Sequence, residues 1–94
     1  MEKGKIGFCR AVFRGQVQGV GFRYTASRAA RALLLRGFVK NHSDGSVEVQ
    51  LEGEAEAMEK FLEEVTERMK GYISGTEVEW GEGQERFGDF QVRF

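Results

Sequence analysis

The fold is decided by the segment FVKNHSDGSVEVQL, residues 38–51. Residues 38–41 favour a short strand, and residues 47–51 alternate apolar and polar side chains, the period of a strand with two unlike faces. Between them lies the dipeptide Asp44-Gly45, which is typical of hairpin turns. The segment therefore predicts an antiparallel hairpin. In its second strand we expect Val47, Val49 and Leu51 to face inward and Glu48, Gln50 and Glu52 to face outward.

Outward from the hairpin, strand and helix patterns follow one another. Residues 8–14 predict a strand, and residues 22–36 carry apolar side chains at helical spacing until Gly37, which we expect to end that helix. Residues 54–70 form the clearest amphipathic helix, and strands are indicated around residues 78–80 and 90–94. The stripe expected to be buried on the second helix comprises Ala55, Met58, Phe61, Leu62, Val65 and Met69.

The order of these elements predicts an α+β fold of the βαββαβ type. We expect an antiparallel sheet with two helices on one face, plus a short extra C-terminal strand. Residues 1–94 give room for a single domain.

The only cysteine, Cys9, lies within the first strand pattern, so we expect a buried core residue and not a reactive thiol. The sequence has no CxxC pair of the kind that binds zinc. It also has no apolar run like a signal peptide or of membrane-spanning length, so we expect a soluble cytoplasmic protein.

The net charge of −1 hides an uneven distribution. Residues 10–43 contain seven basic residues and no acidic one, whereas residues 44–94 contain fourteen acidic and five basic residues. The segregation indicates either that the first half handles an anion or that neighbouring faces of one domain balance each other's charge. Composition alone does not separate the two explanations.

The main candidate site is the glycine-punctuated loop GQVQGVG, residues 15–21, together with the start of the helix that follows. Successive backbone N–H groups in such a loop, placed at a helix N-terminus, bind phosphate without a metal. Arg23 falls in the first helical turn, where a cation opposes the helix dipole unless an anion sits beside it. The alternative is a surface arginine beside a structural turn. The loop lacks the Lys-Ser/Thr of a P-loop and the third glycine of a dinucleotide fingerprint.

Asn41 and His42 are the candidate polar residues at the hairpin turn. The Asn41 carboxamide has a donor and an acceptor, so it can hold a water and also contact a phosphoryl group; the alternative is an asparagine that starts a turn. His42, the only histidine, is the obvious candidate for a general base. Because the sequence shows no carboxylate to orient its ring, we expect a solvated turn residue, with contact to a substrate as the alternative.

Two blocks of the sequence resemble the signatures of the acylphosphatase family. Residues 15–23, GQVQGVGFR, resemble the loop signature, and residues 37–48, GFVKNHSDGSVE, resemble the second signature. The blocks stand at the family's usual separation, and the resemblance in length and element order covers nearly the whole chain. The sequence departs from the family at Leu33-Leu34-Leu35, where a glycine is usual, and at Phe38, where tryptophan is frequent.

The resemblance implies a ferredoxin-like α/β sandwich and an enzyme that hydrolyses acyl phosphates to carboxylate and inorganic phosphate. It implies that Arg23 binds the phosphate, that Asn41 orients the attacking water, and that the substrate's own phosphate accepts the proton. The loop amides implied in phosphate binding are those of Gln16, Val17, Gln18, Gly19 and Val20. It implies no cofactor and no metal. We expect a monomer whose partner is the small-molecule substrate, with no nucleic acid and no membrane.

Three other functions are compatible with the same element order. An RNA-recognition domain shares it, but Arg36-Gly37-Phe38 matches only the start of that signature and the second half of the chain is acidic. A regulatory small-molecule domain is a second possibility, because a fold does not fix a function. The third is a relative that binds phosphate without turning over a substrate.

Overall fold

The computed structural model describes residues 6–94, so residues 1–5 of the predicted single domain lie outside it. The five strands and two helices follow one another as β1 (Gly7–Gly15), α1 (Phe22–Ala32), β2 (Arg36–Asn41), β3 (Val47–Gly53), α2 (Ala55–Arg68), β4 (Ile73–Glu82) and β5 (Phe90–Arg93). This order confirms the predicted βαββαβ arrangement with an extra C-terminal strand.

The strands form one sheet in the order β4-β1-β3-β2-β5. β1 pairs antiparallel with both β3 and β4, and β2 pairs antiparallel with β3 across the hairpin. β5 adds to the outer edge of β2 in the parallel direction, so the complete sheet is mixed. The short strand β5 thereby lies beside the strand that ends at Asn41.

The core lies between one face of the sheet and the two helices. The side chains of Cys9, Ala11 and Phe13 from β1 and of Val47, Val49 and Leu51 from β3 are fully buried there. From α2, the predicted residues Met58, Phe61, Val65 and Met69 are buried and Leu62 is partly buried. Ala55 is exposed, because the apolar stripe of the first turn begins at Ala57.

Burial fits the expectation that Cys9 is structural. Its side chain is 0% exposed, and desolvation raises the pKa of the thiol to about 11. A thiol with so high a pKa carries almost no thiolate at neutral pH and is a poor nucleophile.

The polar residues of β3 do not point into open solvent, which corrects the sequence expectation. Glu48 is 7% exposed and Glu52 is 0% exposed on the face of the sheet opposite the helices. The Glu52 carboxylate accepts backbone hydrogen bonds from Gln84, Arg86 and Phe87 at 2.8–3.3 Å. Burial alone would raise the pKa of Glu52, but these amide donors outweigh it and lower the pKa. The loop before β5 therefore folds over the sheet around a buried carboxylate.

The end of α1 also differs from the expectation, because Gly37 does not terminate the helix. The helix stops at Ala32, and the amides of Leu34 and Leu35 donate back to the carbonyls of Arg31 and Ala30. This is the Schellman pattern, in which the residue after the C-cap has a positive φ and is usually glycine. Here Leu34 occupies that position with φ 59° and an 86% exposed side chain.

Gly37 instead lies at a close contact between β2 and β3. Its φ is 143°, and a Cβ built there would lie 1.8 Å from the Gln50 carbonyl oxygen on the neighbouring strand. Only glycine fits this close approach of β2 to β3.

The strained leucine gives a stability prediction. Leu34→Gly removes the left-handed penalty while losing only an exposed side chain, so we expect it to stabilise the protein by about 1 kcal/mol in urea unfolding. Leu34→Ala is the matched control, because it shortens the side chain but keeps the strained φ, and it should change stability by less than about 0.5 kcal/mol. Finding Leu34→Gly less stable than Leu34→Ala would contradict this account of the helix end.

Candidate active site

A cavity of about 430 Å³ opens where the loop after β1 meets the end of β2. The residues that line it are Val17, Gly19, Gly21, Phe22, Arg23, Tyr24, Asn41, Val92 and Phe94. Arg23 and Asn41, the two predicted catalytic residues, therefore share one cavity although they are far apart in sequence. Tyr24, Val92 and Phe94 had no signal in the sequence that marked them as site residues; they enter through the first turn of α1 and through the pairing of β5 beside β2.

The loop is fixed at its base by two contacts. The amide of Gln16 donates to the carbonyl of Tyr72 at 2.8 Å, and the side chain of Val17 is fully buried in the core. The Gln16 amide is consequently already used, which removes it from the amides expected to face a phosphate. In the described part of the chain, the amides of residues 17–21 donate to no protein group.

The N-terminus of α1 is unusually open. Gly21 occupies the N-cap position with φ 81° and ψ 17°, without a side-chain cap, and the first turn holds no acidic residue. The first amides of a helix lack intrahelical partners and carry partial positive charge. Gly19 also has a positive φ of 77°, and no atom stands within 4 Å of where its Cβ, or that of Gly21, would be. The loop thus presents unpaired N–H groups on a surface that a ligand can approach.

Arg23 adds a full positive charge to this end of the helix. Its guanidinium donates to the carbonyl of Arg93 at 3.4 Å and lies 4.6 Å from the centre of the Phe94 ring. Among residues 6–94 it forms no ion pair with a carboxylate. Arg10 and Arg14 differ, because they pair with Glu48 and Glu79 and with Asp44 and Glu77. Charge balance therefore explains part of the basic segment but not Arg23.

Asn41 contributes a polar atom without a protein partner. The residue ends β2 and is half-buried, and its Oδ1 is buried without a hydrogen bond from the described residues. A buried unsatisfied polar atom costs about 1–3 kcal/mol unless a water or ligand meets it. Asn41 also lines the cavity, so its side chain is placed to contact a molecule bound there.

His42 has a carboxylate partner that the sequence did not reveal, so the premise that nothing orients its ring is wrong. Its Nε2 lies 2.7 Å from Oε1 of Glu48. The ring is half-exposed, which agrees with the expected position beside the turn. Glu48 also accepts hydrogen bonds from Arg10 at 2.7 Å and Gln50 at 2.8 Å. His42 does not line the cavity, which makes this cluster a support for the turn after Asn41.

Among residues 6–94, no three His, Cys, Asp or Glu side chains come close enough together to hold a metal ion. Over the same range, no helix has the length and hydropathy needed to cross a membrane.

Comparisons with known proteins identify relatives of the whole chain. The acylphosphatase family model matches residues 9–92. An acylphosphatase from Salinibacter ruber is 39% identical over 94 residues, covering 99% of each chain. The crystal structure of an acylphosphatase from Bacillus subtilis superposes with a TM-score of 0.85 at 31% identity, over 94% of this chain and 99% of that one. An acylphosphatase structure from Coxiella burnetii gives 0.75 at 31% identity, over 99% and 98%.

The Glu48 cluster generates a prediction about acid stability. Burial by itself would raise the pKa of Glu48, but the hydrogen bonds from Gln50, His42 and Arg10 and the charge of Arg10 outweigh it and lower the pKa from 4.5 to about 2. A carboxyl whose pKa is lower in the folded state stabilises the protein above the unfolded pKa. That stabilisation is lost as the pH falls from about 4.5 towards 2.

We therefore expect Glu48→Gln to lower the free energy of unfolding by on the order of 2–3 kcal/mol at pH 7, with a difference that shrinks as the pH falls below 4.5. Urea unfolding at several pH values measures this, with Glu59→Gln on the exposed face of α2 as the control. A Glu48→Gln deficit that is the same at pH 3 and pH 7 would contradict the assignment.

Proposed function

The chain belongs to the acylphosphatase family and is an enzyme that hydrolyses acyl phosphates to a carboxylate and inorganic phosphate; from this we propose how its residues divide the chemistry. Arg23 and the loop amides bind the phosphoryl group, Asn41 places the attacking water, and the substrate supplies the base. The observation that carries the proposal is that Asn41, whose Oδ1 has no partner among the described residues, and the uncapped start of α1 line the same cavity.

The phosphoryl group binds in the loop. The amides of Val17, Gln18, Gly19 and Val20 provide the donors, and the Gln16 amide is left out because it donates to Tyr72. A guanidinium presents two parallel N–H groups to two phosphate oxygens, which an ammonium cannot do. These donors stabilise the negative charge on the equatorial oxygens as the bond to the leaving group breaks.

The water is held by Asn41 on the side of the phosphorus opposite the leaving carboxylate. Its Oδ1 accepts a hydrogen bond from the water, and its amide group can donate to a phosphoryl oxygen. Holding water and phosphorus in line converts a bimolecular encounter into a positioned reaction.

The proton of the water passes to an oxygen of the phosphoryl group. Among the described residues, no carboxylate side chain and no imidazole lines the cavity, which supports giving the role of base to the substrate. Water oxygen bonds to phosphorus, the phosphorus–oxygen bond to the acyl group breaks, and its electron pair leaves on the carboxylate. A carboxylate is stable without protonation, so no general acid is required.

The apolar side of the cavity gives the acyl group a place. Tyr24 and Phe94 are largely exposed at its rim, next to the cationic end. We expect the acyl portion to lie against these rings while the phosphate lies in the loop. That the protein is a cytoplasmic monomer, needs no cofactor and binds no nucleic acid stays a prediction.

Removing the water-placing group gives the first test. We expect Asn41→Ala to lower kcat for an aryl acyl phosphate by about 10²-fold or more, because an amide positioned at the transition state contributes that much. Inorganic phosphate should still inhibit the variant, since the loop and Arg23 remain. The assay runs in EDTA, and near-normal turnover by Asn41→Ala would contradict the proposed role.

Two variants of Arg23 separate the planar shape of the guanidinium from its positive charge. Arg23→Ala should lose more than about 10³-fold in kcat/KM, and Arg23→Lys should recover only part of it, because a point charge lacks the planar fork. Arg28→Ala is the matched control on the same helix, since Arg28 contacts Tyr24 and does not line the cavity. Full activity of Arg23→Lys would show that charge alone suffices.

A further inference from the structure

We propose that Gln18 is a positioning residue that holds the phosphate-binding loop at a fixed distance from the turn following Asn41. The inference rests on the proposed function, and it concerns the side chain of Gln18 and not its backbone amide.

The Gln18 carboxamide bridges two segments that are distant in sequence. Its Nε2 donates to the carbonyl of His42 at 2.6 Å and to the carbonyl of Ser46 at 2.9 Å. Both hydrogens of the amide group are therefore used, and both acceptors belong to the β2–β3 turn. The first acceptor belongs to the residue directly after Asn41, so the contact reaches the backbone next to the proposed water-placing side chain.

The turn that receives these bonds is itself firmly held. The His42 amide donates to the Ser46 carbonyl at 2.9 Å, and the Gly45 amide donates to the His42 carbonyl at 3.1 Å. Asp44 Oδ1 accepts from both the amide and the hydroxyl of Ser46, at 2.9 and 2.6 Å. The His42 ring rests on the buried Glu48 carboxylate. Gln18 thus ties the loop to a rigid part of the sheet.

The loop has few other contacts that could set this distance. Its base is held by the Gln16 amide and the buried Val17 side chain, whereas Gly19 and Gly21 have open space where a side chain would be. Within residues 6–94, the side chain of Gln18 makes the only side-chain hydrogen bonds that run from residues 16–21 to the hairpin.

The Gln18 hydrogen bonds connect the segment proposed to bind phosphate with the segment proposed to hold the water. The phosphate contacts belong to the loop and to α1, while the water contact belongs to Asn41 on β2. Loss of the bridge should therefore spare phosphate binding, which is local to the loop, and impair attack, which needs the water in line with phosphorus. A displacement of about 1 Å between reacting groups costs on the order of 10²-fold in rate.

The test compares Gln18→Met with Gln91→Met in an EDTA-containing assay with an aryl acyl phosphate. Methionine keeps the length of the side chain but has no N–H donor. Gln91 is exposed on β5, and its side chain makes no hydrogen bond within the described residues, so its substitution controls for the change of side chain. We expect kcat of Gln18→Met to fall at least about 10-fold. Its inhibition constant for inorganic phosphate should change less than about 3-fold, and Gln91→Met should behave as wild type.

A second variant covers the case in which Gln18→Met does not fold. Gln18→Asn keeps a neutral amide, but its side chain is one methylene shorter and cannot reach both carbonyls, so we expect a similar loss of kcat. Unchanged kcat with a lowered Tm would overturn the proposal and leave Gln18 with a role in stability alone. Weakened phosphate inhibition with unchanged kcat would overturn it as well, and would assign the side chain to the shape of the phosphate cradle. An inactive wild type would instead refute the proposed function.

Discussion

The N-terminus of α1 carries positive charge that the described part of the chain leaves uncompensated. No side chain caps the helix, no acidic residue lies in its first turn, and Arg23 adds a full charge where the helix dipole is already positive. Such an arrangement destabilises the protein unless an anion occupies the concavity. The adjoining loop shows the same lack of compensation, because within residues 6–94 its amides from Val17 to Val20 donate to no protein group. An anion-binding function explains both features with one cause.

The sheet places the second half of the site by its connectivity. β1 and β2 are both antiparallel to β3, so they run in the same direction. Asn41, the last residue of β2, therefore lies at the same end of the sheet as the loop that follows β1. The parallel addition of β5 then closes the cavity with Val92 and Phe94. Buried carboxylates on the other face keep this frame in place: Glu48 supports the turn and Glu52 gathers the loop before β5. The buried carboxylates of Glu48 and Glu52 thereby help to fix the turn after Asn41 and the loop before β5, the strand that closes the cavity.

The sequence predicted the elements because they depend on local patterns. Alternation in residues 47–51, helical spacing in residues 54–70 and the loop glycines each report a short-range constraint. Local patterns left alternatives open for Arg23 and Asn41, and only the resemblance to the two acylphosphatase signatures implied their roles. What the sequence could not show depends on contacts across the chain. The pairing of His42 with Glu48 requires knowing that the outward face of β3 is covered. The commitment of the Gln16 amide to Tyr72 and the bridge from Gln18 arise only once loop and sheet meet. The role of Gly37 was misassigned because a strand crossing and a helix end both favour glycine.

The central claim is that the loop and Arg23 form the anion site, and a titration with inorganic phosphate in EDTA tests it most directly. Backbone amide and arginine Nε resonances, followed by nitrogen–proton NMR, report which donors meet the ion. The account predicts saturable shifts at residues 17–21 and at the Arg23 Nε, with the Gln16 amide and the Arg28 Nε little changed. Saturable shifts confined to another part of the surface, or no saturable shift at millimolar phosphate, would contradict it.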